Sequence, residues 1–162
     1  MIEESDSIED AQSQLKRADH LLYVTLKYTR TVDVIKSIIK RFISAFDHSV
    51  EEMLEKSKDK KRIKTIPKSP IEKIELIKKI VKTKEMRDYI KFYYLLRTID
   101  KATFKPREEY RKHVTLITPK HEVDVEKVKE FYEKTKEFVG FSHEFKGRWQ
   151  DTLHVYLEKE GL

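Results

Sequence analysis

Apolar residues recur at three- and four-residue steps along most of this chain, which is the spacing of amphipathic helices. One stripe runs through residues 8–26 and a second through residues 32–54, with a short polar joint between them. Two long amphipathic helices with such a joint are expected to pack antiparallel. Three more stripes follow at residues 71–81, 86–99 and 125–139. The pattern predicts an all-α, up-down bundle of four to five helices.

Several segments depart from this pattern. Residues 56–68 include seven Lys or Arg, which predicts a basic, flexible loop because like charges repel. Residues 111–124 contain two β-rich runs around a Pro-Lys turn, so they predict a small β-hairpin, with a short helical turn before it at residues 107–113. Residues 141–162 fit either helix or strand spacing. Residues 71–102 are compatible with one helix or with two.

Composition narrows the class of protein. The 162 residues suit one domain with one modest core, and three glycines exclude a turn-rich β-sandwich and a glycine-rich phosphate loop. One of these glycines, Gly140, predicts the C-terminal end of the fifth helix. The lack of cysteine excludes disulfides, thiol nucleophiles and thiolate metal sites. The uncharged runs are far shorter than a membrane span, so the sequence predicts a cytoplasmic protein without a membrane partner.

Positive charge is concentrated in the middle of the chain. Residues 56–112 contain 20 Lys or Arg against 8 Asp or Glu, whereas the segments on either side are net acidic. Such a segment attracts polyanions, so it predicts binding to RNA or DNA without sequence specificity. The predicted contacts are Lys58, Lys60, Lys61, Arg62, Lys64, Arg111 and Lys112. The composition, 40% charged, also fits the ion-paired surface of a heat-adapted protein.

Histidine and carboxylate spacings do not indicate a metal site. Di-iron bundles carry Glu-x-x-His on inward-facing helices, and this spacing is missing from the sequence. His20 and His48 each follow a core position by two residues, so both are predicted on the surface. We therefore expect neither a metal nor a cofactor.

Arg107 and His113 form an Arg-x5-His pair in the irregular region before the predicted hairpin. This pair, on a helical bundle, resembles the Arg-x4–6-His motif of the HEPN superfamily, small all-α bundles that include many metal-independent endoribonucleases. The resemblance implies that His113 transfers a proton at the ribose 2′-hydroxyl while Arg107 stabilises charge on the phosphate. Arg111 and Lys112 would add phosphate contacts. The alternative is that Glu109 and His113 are an ordinary i,i+4 polar pair on a surface turn.

The second helix carries an unusually wide apolar band. Its members are Ile35, Ile38, Ile39, Phe42, Phe46 and Val50. One packing partner covers roughly a 100° stripe of a helix, and this band is broader. The sequence therefore predicts a homodimer through the first two helices, with the segment around Trp149 as the next candidate interface. The first functional hypothesis is accordingly a homo-oligomeric interaction or scaffold module, with non-specific nucleic-acid binding and HEPN-like RNA cleavage as alternatives.

Overall fold

Five helices account for most of residues 10–147, the part of the chain that this computed structural model describes. Helix α1 is continuous and consists of Ala11–His20, a π-helical turn at Leu21–Thr25, and Leu26–Thr29. The other helices are α2 at Val32–Asp59, α3 at Pro70–Ile80, α4 at Lys84–Lys101 and α5 at Val125–Glu144. The predicted helical bundle is confirmed. Within the described part, no helix has the length and apolar character needed to cross a membrane.

Helix α2 is the centre of the bundle, and its whole apolar band is buried. Helices α1 and α5 pack along it, and α3 and α4 cover its remaining sides. The residues of the band are each no more than 1% exposed: Ile35, Ile38, Ile39, Phe42, Phe46 and Val50. Packing within one chain therefore accounts for the width of the band, which removes the reason for predicting a homodimer. The dimer stays a prediction, and Trp149 lies outside the described residues.

Helix α4 runs antiparallel to α2. Near the start of α2, Lys36 Nζ donates a hydrogen bond to the carbonyl oxygen of Asp100, at 3.1 Å. About three turns further along α2, the hydroxyl of Tyr93 donates to Asp47 at 2.6 Å. The start of α4, and the short turn that joins it to α3, therefore lie beside the end of α2.

The region 71–102 is two helices rather than one. Helix α3 ends at Ile80, and Thr83 has extended backbone angles, with φ −96° and ψ 156°. The Thr83 hydroxyl accepts a hydrogen bond from the N–H of Met86 at 3.1 Å, which satisfies an otherwise unpaired donor in the first turn of α4. This capping contact divides the two helices.

Helix α2 runs further than predicted, into the segment 56–68 that the sequence predicts to be a loop. It ends at Asp59. Its last turns are packed against the bundle, since Ser57 is buried, and the Ser57 hydroxyl donates to the carbonyl oxygen of Met53, one turn earlier, at 3.0 Å. The connection that follows is attached to the core at two points, since Ile63 and Ile66 are half-buried against it. The predicted loop is therefore shorter than its sequence signal.

Helix α5 also passes its predicted end. It continues through Gly140 and ends at Glu144. Lys56 Nζ donates to two carbonyl oxygens of its last turn, that of Ser142 at 3.3 Å and that of His143 at 2.8 Å. These bonds satisfy carbonyl groups that a glycine cap often satisfies, so the helix does not have to end at Gly140.

A small antiparallel sheet connects α4 to α5. Its strands, in the spatial order β1-β2-β3, are Lys105–Arg107, Thr115–Ile117 and Glu122–Asp124. The pairing of β2 with β3 confirms the hairpin predicted at 111–124. Strand β1 is additional, and it tolerates Pro106 because it lies at the edge of the sheet. The helical turn predicted at 107–113 is wrong, since Arg107 belongs to β1 and residues 108–114 form an irregular loop.

Candidate functional site

The predicted nucleic-acid contacts lie at opposite ends of α2. Residues 58–64 are at and just beyond its end, whereas Arg111 and Lys112 belong to the loop after β1. That loop is held beside the start of α2, because the N–H of Tyr110 donates to the carbonyl oxygen of Arg30 at 2.8 Å. With 28 residues, α2 is about 42 Å long at a rise of 1.5 Å per residue. The predicted contacts therefore form two surfaces rather than one.

The first surface, the lysine-rich end, consists of lysines from the ends of α2 and α3, the start of α4, and the two connections between these helices. Its members are Lys58, Lys60, Lys61, Lys64, Lys78, Lys79, Lys82 and Lys84. All of them are exposed, and none forms an ion pair with a described residue. Arg62, which was predicted with them, is half-buried. This end therefore presents positive charge that no described carboxylate balances at contact distance.

Helix electrostatics explain only part of the lysine-rich end. Lys58, Lys78 and Lys79 lie in the last turns of α2 and α3, where the helix dipole favours a cation. Lys60, Lys61 and Lys82 follow those helix ends closely, whereas Lys64 is further along the connection and Lys84 opens α4, where the dipole disfavours a cation. On the ion-paired surface of a heat-adapted protein these lysines would be paired with carboxylates. Here none of them forms an ion pair with a described residue.

Arg107 is engaged in the sheet. Its two terminal nitrogens donate to the two carboxylate oxygens of Glu122 at 3.0 and 3.2 Å, a bidentate pair between β1 and β3. Hydrogen bonding to Glu122 raises the pKa of Arg107 above its usual value. The pair is exposed to solvent, and it orients Arg107 toward Glu122.

His113 lines a cleft of about 290 Å³ at the same end of the bundle as the start of α2. We call it the His113 cleft. It lies between α1, the 108–114 loop and the start of α5, and its lining includes four cations, Lys27, Arg30, Lys112 and Lys129, but not Arg107. The structure therefore places the two residues of the Arg-x5-His pair in different surroundings.

Two carboxylates in the His113 cleft are already engaged. Asp124 caps α5 by accepting from the N–H of Lys127 at 2.8 Å, and Glu126 pairs with Lys129 at 3.4 Å. The other three lining cations form no ion pair with a described residue. The cleft therefore has cationic donors suited to an anionic group.

Three of the lining cations were missed by sequence reasoning. Lys27 and Arg30 come from α1 and its turn, and Lys129 comes from α5, far from His113 in sequence. No local spacing links these positions, so their convergence depends on the packing of α1 and α5 around α2. Lys112 and His113 are the predicted site residues that reach the cleft.

No group of three or more His, Asp or Glu side chains within residues 10–147 is arranged to hold a metal ion. Comparison with protein families, with curated proteins and with solved structures gave no match to this chain. The lysine-rich end and the His113 cleft are therefore the features that indicate a function.

Proposed function

We propose that the protein binds the phosphate backbone of nucleic acids through its lysine-rich end. The observation that carries this proposal is the set of eight exposed lysines, from three helices and two connections, without ion pairs to described carboxylates. A lysine that neutralises a phosphate releases a condensed counterion, and this release drives non-specific association. Lysine is suited to this role because its ammonium group contacts a phosphate as a point charge on a flexible stem.

The competing hypothesis, a homo-oligomeric interaction module, has less support. It depended on the apolar band of α2, and each residue of that band is buried within a single chain. The lysine-rich end, by contrast, is exposed and has a net charge that disfavours contact with a second copy of itself, because like charges repel.

Replacing three lysines of the connecting segment tests the proposal. The slope of log affinity against log salt should become shallower by about 0.7 to 0.9 for each phosphate that is no longer neutralised, so by roughly 2 to 3 in K60Q/K61Q/K64Q. The measurement is fluorescence anisotropy with a labelled duplex and a labelled single strand over a series of salt concentrations.

The matched control removes the same charge elsewhere. Lys16, Lys120 and Lys136 are exposed and lie outside the lysine-rich end, so K16Q/K120Q/K136Q should leave the salt slope close to that of the wild type. Equal slopes for the two triple variants would place binding elsewhere on the molecule. A wild-type protein that binds neither probe at low salt would refute the proposal.

A second candidate function, RNA cleavage, is favoured by the position of His113 in a cationic cleft. Arg30 and Lys112 line that cleft with His113, so Arg30 rather than Arg107 is the guanidinium that shares the cleft with the imidazole, while its Nε donates to the carbonyl oxygen of Lys27 at 3.1 Å. The relationship to the HEPN superfamily stays a prediction, because nothing in the comparisons bears on it.

If His113 transfers a proton in RNA cleavage, H113A should lower the cleavage rate by about a hundredfold or more. R30A should also lower the rate, and R107A should not, because Glu122 holds Arg107 outside the cleft. Gel analysis of a labelled RNA gives the rates, and an all-deoxy strand of the same sequence should stay intact. A wild-type protein that does not cut RNA, or an H113A variant that cuts at the same rate, would exclude this function.

A further inference from the structure

Unusual backbone conformations converge beside the His113 cleft. Helix α1 contains its π-helical turn here, and π turns are frequent at functional sites. Three non-glycine residues have left-handed backbones, Arg30 with φ 51°, Glu108 with φ 55° and Tyr110 with φ 68°. Such conformations are unfavourable and persist only where the surrounding structure enforces them.

Two hydrogen bonds enforce them by joining the 108–114 loop to the α1–α2 turn. The N–H of Tyr110 donates to the carbonyl oxygen of Arg30 at 2.8 Å. The carboxylate of Glu109 accepts from the N–H of Val32 at 3.1 Å, which satisfies a free donor at the start of α2. The loop therefore has a fixed position, and side chains that project from it are held in place in advance of binding.

Tyrosines at this end differ from the other tyrosines of the described chain. Tyr28 is 80% exposed, Tyr110 is 76% exposed and Tyr23 is 45% exposed. None of the three hydroxyls bonds to a side chain within residues 10–147. The remaining described tyrosines each donate their hydroxyl to a carboxylate: Tyr89, Tyr93, Tyr94 and Tyr132. Tyr28 and Tyr110 therefore have no visible structural role, although their rings are large and apolar.

Cationic residues lie close to these exposed tyrosines in the sequence. Tyr28 lies between Lys27 and Arg30 in the sequence, and Tyr110 lies two residues before Lys112. Aromatic rings beside lysine and arginine form the surface on which unpaired bases stack while their phosphates are neutralised. A protein partner would favour a continuous apolar patch, whereas here Lys27, Arg30 and Lys112 are within two positions of the two tyrosines in the sequence.

We propose that this end of the bundle stacks unpaired nucleic-acid bases on Tyr28 and Tyr110 and holds the adjoining phosphates on Lys27, Arg30 and Lys112. The inference rests on the proposed function only in that the ligand is a nucleic acid, and it specifies the single-stranded form. Bases inside a duplex are already stacked on one another, so a duplex cannot use these rings.

The test distinguishes the contribution of the tyrosine rings from that of their hydroxyls, and contact with bases from contact with phosphates. Anisotropy is measured with a labelled oligothymidine and with an abasic strand of equal length and charge. Y28A and Y110A should each weaken oligothymidine binding by about fivefold or more, the lower limit for removing one stacked base. Y28F and Y110F keep the ring and should bind as the wild type does. The abasic strand should bind equally to the wild type and to the alanine variants.

The results also separate this inference from the proposed function. Wild-type affinity in Y28A/Y110A overturns the stacking site, even if K60Q/K61Q/K64Q flattens the salt slope. Loss of affinity in Y28A/Y110A with an unchanged slope in the lysine variant supports the stacking site and overturns the lysine-rich end. Equal weakening on the abasic strand would mean that the tyrosines do not contact bases, and would also overturn the inference. Circular dichroism confirms that the variants, altered at exposed positions, are folded.

Discussion

Replacing Phe46 with alanine should remove a large part of the stability of the fold, about 3 to 5 kcal/mol. Phe46 is 1% exposed, and its ring stacks on that of Phe138 with the centroids 4.3 Å apart. The rings of Phe92 and Tyr93, both on α4, pack against it with ring centroids 5.7 and 5.6 Å from that of Phe46. Three helices therefore meet at this side chain, and its removal leaves a cavity that none of them can fill alone.

Urea and thermal unfolding measure this effect. A domain of this length loses about 2 to 4 °C of melting temperature for each kcal/mol, so F46A should melt roughly 6 to 20 °C lower. Phe104 offers the matched control, since it is 39% exposed and lies outside the buried core, so the same substitution there removes less buried area than at Phe46. If F46A and F104A unfold at the same temperature, the aromatic contact between α2, α4 and α5 is not the centre of the core.

The second large effect is expected at Tyr93, whose hydroxyl is the donor to a partly buried carboxylate. The Tyr93 hydroxyl donates to Asp47 at 2.6 Å and accepts from Arg97 at 3.1 Å. Y93F removes the donor while keeping the ring, so Asp47 loses a hydrogen bond at a site where water has little access. The expected cost at pH 7 is about 1 to 3 kcal/mol.

The cost of Y93F should depend on pH. Burial raises the pKa of Asp47, and the Tyr93 hydrogen bond lowers it in part. An acid with a raised folded-state pKa contributes stability that is present below its unfolded pKa, about 3.9, and is lost as pH rises through the folded value. Y93F raises the folded pKa of Asp47 further. The difference from the wild type should therefore be larger at pH 7 than at pH 4.

Urea unfolding at both pH values measures the effect, with two controls. Tyr94 donates to the exposed Glu75, so Y94F should cost little, because water can take the place of the hydroxyl donor. The D47N/Y93F variant has no carboxylate at position 47, so the additional pH dependence that Y93F causes should be mostly absent from its free energy of unfolding. An equal cost of Y93F at both pH values would mean that ionised Asp47 does not need this donor.

The helical part of the fold could be predicted from the sequence because helix signals are local. The stripes of α1 and α2 are set by residues three and four positions apart, and those among the described residues are buried. The sequence does not decide whether a helix ends before Thr83, since a threonine is compatible with a helix interior as well as with a cap. The cap itself became visible only in the contact between its hydroxyl and Met86.

The site depends on contacts between distant parts of the chain, which local patterns do not contain. Hydrogen bonds from Glu109 and Tyr110 to the α1–α2 turn fix the 108–114 loop. Glu109 and its partner Val32 are 77 positions apart in the sequence. The pairing of Arg107 with Glu122 likewise needs the register of three strands. The resemblance to the HEPN motif implies that Arg107 and His113 act together, and a two-residue motif cannot show that the sheet engages Arg107.

The length of α2 sets a minimum size for any ligand that uses both ends of the molecule. A strand that keeps the rise of helical DNA, about 3.4 Å per nucleotide, needs roughly twelve nucleotides to cover a span of about 42 Å, and a more extended strand needs fewer. A strand too short for this span reaches one end only. A strand long enough to span it binds the second end at the high effective concentration of a tethered ligand. Because α2 is a single helix whose apolar face is buried in the bundle, this distance is fixed, and affinity should rise in a step with strand length.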